Sequence, residues 1–247
     1  MAPEPYYDDG RVRLYLGRCE DVLPHLSGVQ LTVTSPPYNL GGAAVAQRAH
    51  TTVETQARRE ALFYDDSLPE PEYQAQQAQM AKLVAEASTP NAAFFYNHKV
   101  RYQRREVLHP YTIVAQFDAG HVRQEVIWCK PGGVTHQGGM YVHADERIYW
   151  LVRDLDSFRW SDRAQGWLTW WQMNPPKVGR QGHPVPYPPT IPERAILTAT
   201  SRGELVLDPY AGSGTTLRVA KALGRRAVGI EAREDYAEAC ANLLAGC

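Results

Sequence analysis

The last fifth of the sequence contains the motif Leu205-Val206-Leu207-Asp208-Pro209-Tyr210-Ala211-Gly212-Ser213-Gly214-Thr215-Thr216. It begins as an apolar strand, passes through a glycine-rich turn and continues into a helical pattern. Glycine lets the backbone approach a ligand and adopt positive φ, and a helix N-terminus offers unpaired N–H donors. This order of elements predicts a ligand site at the edge of an α/β sheet.

The details of the turn limit which ligand fits. A phosphate-binding P-loop would place a lysine at Thr215, and a dinucleotide fingerprint would add a third glycine. Glu231 ends the next predicted strand nineteen residues after Gly212, close to the offset of about 20 at which an acid meets ribose hydroxyls. A nucleoside without a pyrophosphate fits this pattern, and S-adenosylmethionine is such a ligand, with Asp208 facing its positively charged methionine end. A structural turn without a ligand is the alternative.

The elements around this turn alternate between strand and helix. Strands are predicted at 12–16, 29–34, 92–96, 125–129, 147–152, 204–207 and 227–230, and helices at 20–26, 71–87, 215–223 and 235–244. Such alternation predicts an α/β fold with a largely parallel sheet.

Composition sets the class of protein. The chain has 247 residues, 44% of them hydrophobic, and a formal net charge of −1, which predicts a globular protein with a large core and excludes disorder. No apolar run has the length of a membrane helix and no secretory pattern opens the sequence, so we expect a cytoplasmic protein. Four scattered cysteines, Cys19, Cys129, Cys240 and Cys247, predict free thiols and no metal site.

A second motif, Ser35-Pro36-Pro37-Tyr38, follows the predicted strand 29–34. Its side chains are therefore expected at the carboxyl edge of the sheet, where open α/β folds bind ligands. The prolines stiffen the turn and leave carbonyl groups free, because proline has no N–H. The Ser35 oxygen and the Pro36 carbonyl suit an exocyclic amino group, and Tyr38 offers a face on which an extruded base could stack. A packed Pro-Pro turn is the alternative for this motif alone.

The two motifs together resemble the catalytic and cofactor motifs of amino-group DNA methyltransferases, which methylate cytosine N4 or adenine N6. The catalytic motif comes first and the cofactor loop last, as in the permuted β group of that family. A third match is the segment from His183-Pro184-Val185-Pro186-Tyr187-Pro188 to Ile196, which is similar to the family's cofactor-contacting segment. Residues 125–130 and 146–150 resemble its inner strands, so the resemblance covers nearly the whole chain.

The resemblance implies a fold, domains and site residues. The fold is Rossmann-like, a largely parallel twisted sheet flanked by helices with permuted motif order. The catalytic domain is 1–152 and 183–247, the target-recognition insert 153–182, and 40–70 a mobile loop that clamps DNA. The catalytic residues are Ser35, Pro36, Pro37 and Tyr38. The cofactor S-adenosyl-L-methionine is bound by Asp208, Pro209, Tyr210, Ala211, Gly212, Ser213, Gly214, Thr215, Thr216, Glu231, His183, Pro184, Pro186 and Tyr187.

One segment departs from the family pattern. Members often carry Gly-Asp after the first strand, near the adenine of the cofactor, whereas this chain has Gly17-Arg18-Cys19-Glu20-Asp21. No adenine contact is predicted there.

The predicted activity is direct in-line methylation of a flipped cytosine at N4, because serine at position 35 is typical of the cytosine-N4 members. Adenine-N6 methylation is the first alternative, and a catalytically silent DNA-binding subunit is an alternative of another class. An RNA or protein methyltransferase is a further one, since the cofactor loop does not name the acceptor.

Binding of double-stranded DNA must come from local charge. Residues 97–130 and residues 147–182 each carry six basic and three acidic side chains. The second stretch includes the predicted DNA contacts Arg153, Arg159, Arg163, Lys177 and Arg180. A solvated surface is the alternative for any single residue. The family also suggests a homodimer and a cognate restriction endonuclease as further partners, and no membrane.

Overall fold

The computed structural model describes residues 3–40, 67–103, 106–131, 141–174 and 187–246. In this part of the chain, nine strands form one mixed sheet and two form a separate hairpin, β5 with β6. The strands are β1 Tyr7–Asp8, β2 Val12–Leu16, β3 Val29–Thr34, β4 Ser88–His98, β5 Arg101–Gln103, β6 Glu106–Leu108, β7 His121–Cys129, β8 Asp145–Val152, β9 Trp170–Gln172, β10 Leu205–Asp208 and β11 Arg226–Glu231.

Helices connect and cover these strands. The α-helices are α1 Cys19–Val22, α2 Glu70–Ala87, α3 Tyr111–Val114, α4 Thr190–Ala199, α5 Thr215–Ala222 and α6 Glu234–Ala245, and short 3-10 helices span Leu23–His25 and Asp162–Ala164. Within the described ranges, no helix combines the length and the apolar character needed to cross a membrane.

The centre of the sheet consists of five parallel strands in the order β2-β11-β10-β3-β4. From β10 the chain crosses through α5 to β11 on one side, and from β3 it crosses through α2 to β4 on the other. The strand order therefore reverses between β10 and β3, where open α/β sheets form a ligand crevice. We call the edge at which these five strands end the carboxyl edge, and the opposite one the amino edge.

Both faces of the sheet are covered, which explains why β3 and β10 are buried along their whole length. One core cluster joins the sheet to α4, α5 and α6 through residues such as Ile196, Leu217 and Cys240. The other joins it to α1, α2 and α3 through Val22, Met80 and Ile113. Burial on two faces requires continuous apolar runs rather than alternation.

The predicted α/β fold with a largely parallel sheet is confirmed. All the predicted strands and helices are present, with bounds that shift by a few residues at most at either end. Two strands of the sheet run against this direction, since β8 pairs antiparallel with both β4 and β7 and β1 pairs antiparallel with β2.

Helix α4 was not predicted. Pro192 falls in its first turn, where a missing N–H costs no hydrogen bond.

The predicted recognition insert spans the height of the sheet. Its first described residues leave β8 at the amino edge, where the Arg153 N–H donates to the carbonyl of Ala92 over 2.9 Å. The chain then returns as β9 beside β7 and reaches the carboxyl edge, where the Met173 N–H donates to the Cys129 carbonyl over 3.0 Å. Most of the predicted DNA-clamping loop, residues 41–66, lies outside the described residues, as does 175–186.

Candidate active site

The ends of β3 and β10 are joined directly at the crevice. The Thr34 hydroxyl donates to Asp208 Oδ1 over 2.8 Å, and both side chains are buried. This bond places the start of the Ser-Pro-Pro-Tyr turn beside the start of the glycine-rich turn. The two motifs, 174 residues apart in sequence, therefore lie side by side at the carboxyl edge.

The first turn is anchored by hydrogen bonds to neighbouring strands. Ser35 Oγ lies 2.5 Å from the Tyr38 hydroxyl, and that hydroxyl donates to Glu146 Oε2 over 2.9 Å. Asn97 Nδ2 donates to the Tyr38 oxygen and to Glu146 Oε2, each over 2.7 Å, and reaches Ser35 Oγ at 3.3 Å. Lys130 Nζ pairs with Glu146 Oε1. We call these five residues the Ser35 network.

Three members of this network, Asn97, Lys130 and Glu146, were not predicted from the sequence. They lie at the carboxyl edge on β4, just after β7, and at the start of β8. Asn97 and Glu146 are buried, so the polar atoms of the site extend two strands beyond the crevice.

The Tyr38 side chain is held on both its ring and its hydroxyl. Its ring packs against His98 with centroids 4.7 Å apart and a 42° tilt. Burial, together with the charge of Glu146, raises the pKa of Tyr38 well above its ordinary value, so the phenol keeps its proton. The predicted stacking of an extruded base on this ring stays a prediction.

A second set of contacts clamps the rest of the turn. The Tyr73 hydroxyl donates to the Pro37 carbonyl over 2.6 Å. Asn39, with φ of +53°, donates through Nδ2 to the Leu68 carbonyl over 2.9 Å. Arg101 makes two hydrogen bonds to Glu70, of 2.6 and 2.7 Å. Helix α2 and the hairpin thereby hold the turn from outside the sheet.

The glycine-rich turn depends on close backbone contacts. Gly212 and Gly214 have φ of +51° and +74°, a region that favours glycine. A Cβ on Gly214 would lie 2.3 Å from Cys240 Sγ, and one on Gly229 would lie 2.5 Å from Leu217. The Ala211 N–H donates to the Ile230 carbonyl over 2.9 Å, which fixes the turn to β11.

Asp208 is the electrostatic centre of this turn. Besides the Thr34 hydroxyl, its carboxylate accepts from Thr216 Oγ1 over 2.7 Å, the Tyr210 N–H over 3.2 Å and the Tyr187 hydroxyl over 3.2 Å. Burial raises its pKa to about 6 although these donors lower it. The sequence predicted that Asp208 faces the cationic end of the cofactor, and this stays a prediction. The observed bonds give it a positioning role.

Glu231 is held by two backbone N–H groups, and its predicted contact with ribose hydroxyls stays a prediction. Its Oε2 accepts from the Gly212 N–H and its Oε1 from the Arg233 N–H, each over 2.9 Å. Each carboxylate oxygen has further acceptor capacity. Glu231 also lines a cavity of about 290 Å³ at the carboxyl edge.

That cavity brings together several predicted residues and one segment for which no contact was predicted. Pro37, Pro209, Tyr210 and Glu231 line it, and so do residues 17–20. The Gly17 N–H donates to the Glu231 carbonyl over 2.9 Å, so the end of β2 is a wall of the cavity. Cys19, whose thiol donates to the Tyr210 hydroxyl over 3.7 Å, has its pKa raised to about 12 by burial.

Other residues predicted to bind the cofactor lie in or beside the glycine-rich turn, outside the lining of this cavity. Ser213 lies in the turn and Thr215 begins α5, with their hydroxyls 3.4 Å apart. Tyr187 contacts Thr216 as well as Asp208. The predicted residues His183, Pro184, Pro186, Lys177 and Arg180 lie outside the described part of the chain.

The three described DNA-contact candidates are exposed, but the structure does not bring them to the catalytic turn. Arg153 pairs with Ala92 near the amino edge, six residues along β4 from His98. Six residues of strand span about 20 Å. Arg159 and Arg163 flank Ser161, whose N–H donates to the Thr198 carbonyl over 3.2 Å near the end of α4. Their contact with DNA stays a prediction.

The chain is similar in sequence and in fold to known DNA methyltransferases. The N6/N4 methyltransferase family model, described as DNA methylase, matches residues 29–242. The type II methyltransferase M.ScaI of Streptomyces caespitosus is 29% identical over 278 residues, covering 98% of this chain and 84% of that protein. The structure of PvuII DNA methyltransferase (cytosine-N4-specific) is similar with a TM-score of 0.78 at 19% identity, covering 97% of this chain and 88% of that one. The M1.HpyAVI–SAM complex gives 0.66 at 19% identity, covering 94% and 98%.

Proposed function

Because the chain belongs to the N6/N4 DNA methylase family, we propose that it is a site-specific methyltransferase of the type II class that modifies the exocyclic N4 of a cytosine flipped out of duplex DNA. The observation that carries this proposal is the placement of Ser35. It stands at the crevice beside the cavity that contains Glu231, so an acceptor for an amino group lies next to a site for a nucleoside.

Membership in the family confirms the predictions of a DNA methyltransferase, of DNA as the substrate and of S-adenosyl-L-methionine as the methyl donor. The likeness to PvuII DNA methyltransferase confirms the predicted fold. The choice between cytosine and adenine is the part that we propose.

The residues of the cavity fit the methyl donor. Bound S-adenosyl-L-methionine supplies an electrophilic methyl group on a sulfonium. Glu231 would accept from its ribose hydroxyls, with both carboxylate oxygens already oriented by backbone N–H groups. Gly214 leaves no room for a side chain, so the turn keeps its close approach to α6 and its N–H groups at the helix start.

Two observations support cytosine N4. Ser35 replaces the aspartate typical of adenine-N6 members, and the likeness to a cytosine-N4-specific enzyme covers 97% of this chain. With the amino hydrogens of the base donated to Ser35 Oγ and the Pro36 carbonyl, the nitrogen lone pair would point toward the methyl group. Such positioning of the reacting atoms supplies much of the acceleration in reactions of this kind.

We propose further that DNA lies along the carboxyl edge. Asn174 follows a residue bonded to the end of β7, and Tyr187 contacts Asp208 at the end of β10. The described residues on either side of the segment with Lys177 and Arg180 are therefore at this edge. The described ends of the proposed clamping loop 40–70 are at this edge too, because Asn39 is bonded to Leu68.

The decisive experiment identifies the methylated nucleoside. The protein is incubated with labelled S-adenosyl-L-methionine and duplex DNA of mixed sequence, and the DNA is digested to nucleosides. N4-methyldeoxycytidine supports the proposal. N6-methyldeoxyadenosine would establish the adenine alternative, and cofactor binding without label in DNA would establish the silent subunit.

Ser35→Ala tests the role of the serine itself. We expect turnover to fall by about 100-fold, in the range for loss of one preorganised polar group, with cofactor affinity unchanged in calorimetry. Near-normal turnover would show that Ser35 does not bind the amino group.

A homodimer and a cognate restriction endonuclease remain proposals that follow from the family. Light scattering on the purified protein at several concentrations tests the first, and a search for sequence-specific cleavage that methylation blocks tests the second.

A further inference from the structure

We propose that Glu146 is the terminal acceptor for the proton that the target amino group loses on methylation, and that the proton reaches it through Ser35 and Tyr38. This inference rests on the proposed function, amino-group methylation at Ser35, and adds a route for the proton through residues that the sequence did not predict.

Because a carboxylate only accepts hydrogen bonds, the short contacts of the Ser35 network allow one direction for its two hydroxyl hydrogens. Asn97 Nδ2 donates to Glu146 Oε2, and the Tyr38 hydroxyl donates to the same oxygen. Because Tyr38 has spent its single hydrogen, the bond of 2.5 Å between Ser35 and Tyr38 must carry the hydrogen of Ser35. All donors therefore point toward Glu146.

This direction fixes what Ser35 can offer to a base. Its hydrogen is directed at Tyr38, so Oγ faces the crevice as an acceptor. Asn97 Nδ2 lies 3.3 Å away, but its two hydrogens are directed at Glu146 and Tyr38 over shorter distances, so a lone pair of Oγ is available to an amino hydrogen. The network thus makes the serine an acceptor without requiring it to ionise.

The route ends at a buried carboxylate whose ion-pair partner is partly exposed to solvent. The Glu146 side chain is 5% exposed, and that of Lys130 is 19% exposed. Lys130 also lies 4.3 Å from the centre of the Trp128 ring, which holds the ammonium group against Glu146. The ion pair offsets the cost of burying the carboxylate, and its exposed side leads to solvent.

The step balances in atoms and charge. The amino nitrogen gives its lone pair to the methyl carbon, and the carbon–sulfur bond breaks with its electron pair left on sulfur. The nitrogen then loses one proton to Ser35 Oγ, the Ser35 proton moves to the Tyr38 oxygen, and the Tyr38 proton moves to Glu146 Oε2. The carboxylic acid returns its proton to solvent once the product has left. Since neither the Ser35 hydroxyl nor the Tyr38 phenol is stable with a second proton, the three transfers are concerted.

Tyr38→Phe interrupts the route and leaves Asn97, Glu146 and Lys130 paired. We expect the single-turnover methylation rate to fall by about 10- to 100-fold, since positioned proton transfer contributes about 100-fold or more. Affinities for S-adenosyl-L-methionine and DNA should change less than twofold. Tyr149→Phe is the matched control, because it removes the hydroxyl of another buried tyrosine outside the network and should leave the rate unchanged.

A double-mutant cycle separates this role from a merely structural one. Glu146→Gln should slow the transfer as much as Tyr38→Phe, and the double variant should be no slower than either, because both interrupt one route. The wild-type single-turnover rate should also be lower in D₂O, and the Tyr38→Phe rate should not. Losses that multiply in the double variant, or a Tyr38→Phe rate within twofold of wild type, would overturn the relay. If the wild-type protein leaves no methyl group on DNA, the proposed function fails instead.

Discussion

Asp208 shows how a single buried carboxylate sets the pH dependence of stability. Its pKa in the folded chain is about 6, above the ordinary 3.8. A carboxyl group that binds its proton more tightly when folded costs stability as pH rises from about 4 through about 6, and below pH 4 it costs nothing.

We therefore expect the difference in unfolding free energy between Asp208→Asn and wild type to shift in favour of the variant by about 1 kcal/mol as the pH rises from 5 to 8. Urea denaturation at four pH values measures the difference. Asp235→Asn serves as the control, because Arg233 holds the pKa of Asp235 below its usual range, and its difference from wild type should be constant over the same interval. A constant difference for Asp208→Asn would contradict the raised pKa.

Asn97 is neutral for a physical reason. Its Nδ2 donates to Glu146 Oε2 over 2.7 Å, and an aspartate there would place two buried carboxylates together. We expect Asn97→Asp to lose about 3–5 kcal/mol of unfolding free energy at pH 7, and Asn97→Ala to lose less, about 1–3 kcal/mol. The aspartate deficit should shrink at pH 5, where the pair shares a proton. An Asn97→Asp protein as stable as Asn97→Ala would show that the site tolerates the charge.

Local sequence predicted Ser35 and Asp208 because each ends a strand and begins a turn of distinctive residues. It did not predict Asn97 and Glu146, which lie within or at the start of strands. Their proximity depends on the register of β8 between β4 and β7, with Trp128 opposite Glu146. A lysine just after one predicted strand and a glutamate at the start of the next were a usable signal, because antiparallel neighbours bring such ends together.

At the scale of elements, the start of α5 is limited by its contact with α6. Gly214 has positive φ and lies against Cys240. We expect Gly214→Ala to cost about 2–4 kcal/mol, from backbone strain and overpacking together, and to weaken cofactor binding. Thermal and urea unfolding measure the first effect and calorimetry the second.

Two further variants separate the loss of stability caused by backbone strain from the loss caused by the clash with Cys240. Gly203→Ala has the same kind of backbone strain, with φ of +83° and open space around its Cβ, and should cost about 1 kcal/mol. Cys240→Ala in the Gly214→Ala protein should recover the part due to the clash. If it recovers nothing, backbone strain alone limits the turn.

The start of α2 is held by the bidentate pair of Arg101 with Glu70. The Arg101 side chain is 2% exposed, so removing its partner leaves a buried charge. We expect Glu70→Gln to cost about 3 kcal/mol, whereas Glu20→Gln, which breaks an exposed pair with Arg18, should cost less than about 1 kcal/mol. Equal losses in urea denaturation would show that the clamp on the turn is not electrostatic.

Periodic elements were predictable and short ones were not. Strand β9 has three residues, too few to show a period, and it is ordered by pairing with β7. Helix α4 was not predicted because it contains Pro192. Proline as a rule interrupts helices, but it is tolerated in the first turn.

For the whole molecule, the net charge of −1 conceals an uneven distribution. The sequence grouped five basic residues between 153 and 180 as one DNA contact. Among the described residues, Arg153 lies near the amino edge, whereas Asn174 and Tyr187, on either side of the segment with Lys177 and Arg180, lie at the carboxyl edge. A base that binds at Ser35 requires DNA at the carboxyl edge. Arg153 lies about 20 Å from that edge, which is the length of six strand residues.

Charge reversal distinguishes the two edges. We expect Lys177→Glu with Arg180→Glu to weaken binding to duplex DNA and to lower the slope of log affinity against log salt by about 2, because each phosphate contact contributes about 0.9. Arg153→Glu with Arg159→Glu should leave that slope unchanged. Fluorescence anisotropy across a salt series measures both. The opposite pattern would place DNA along the amino edge. A base bound there could not reach Ser35 without passing around the sheet. A loss of turnover in Ser35→Ala is therefore consistent only with DNA along the carboxyl edge.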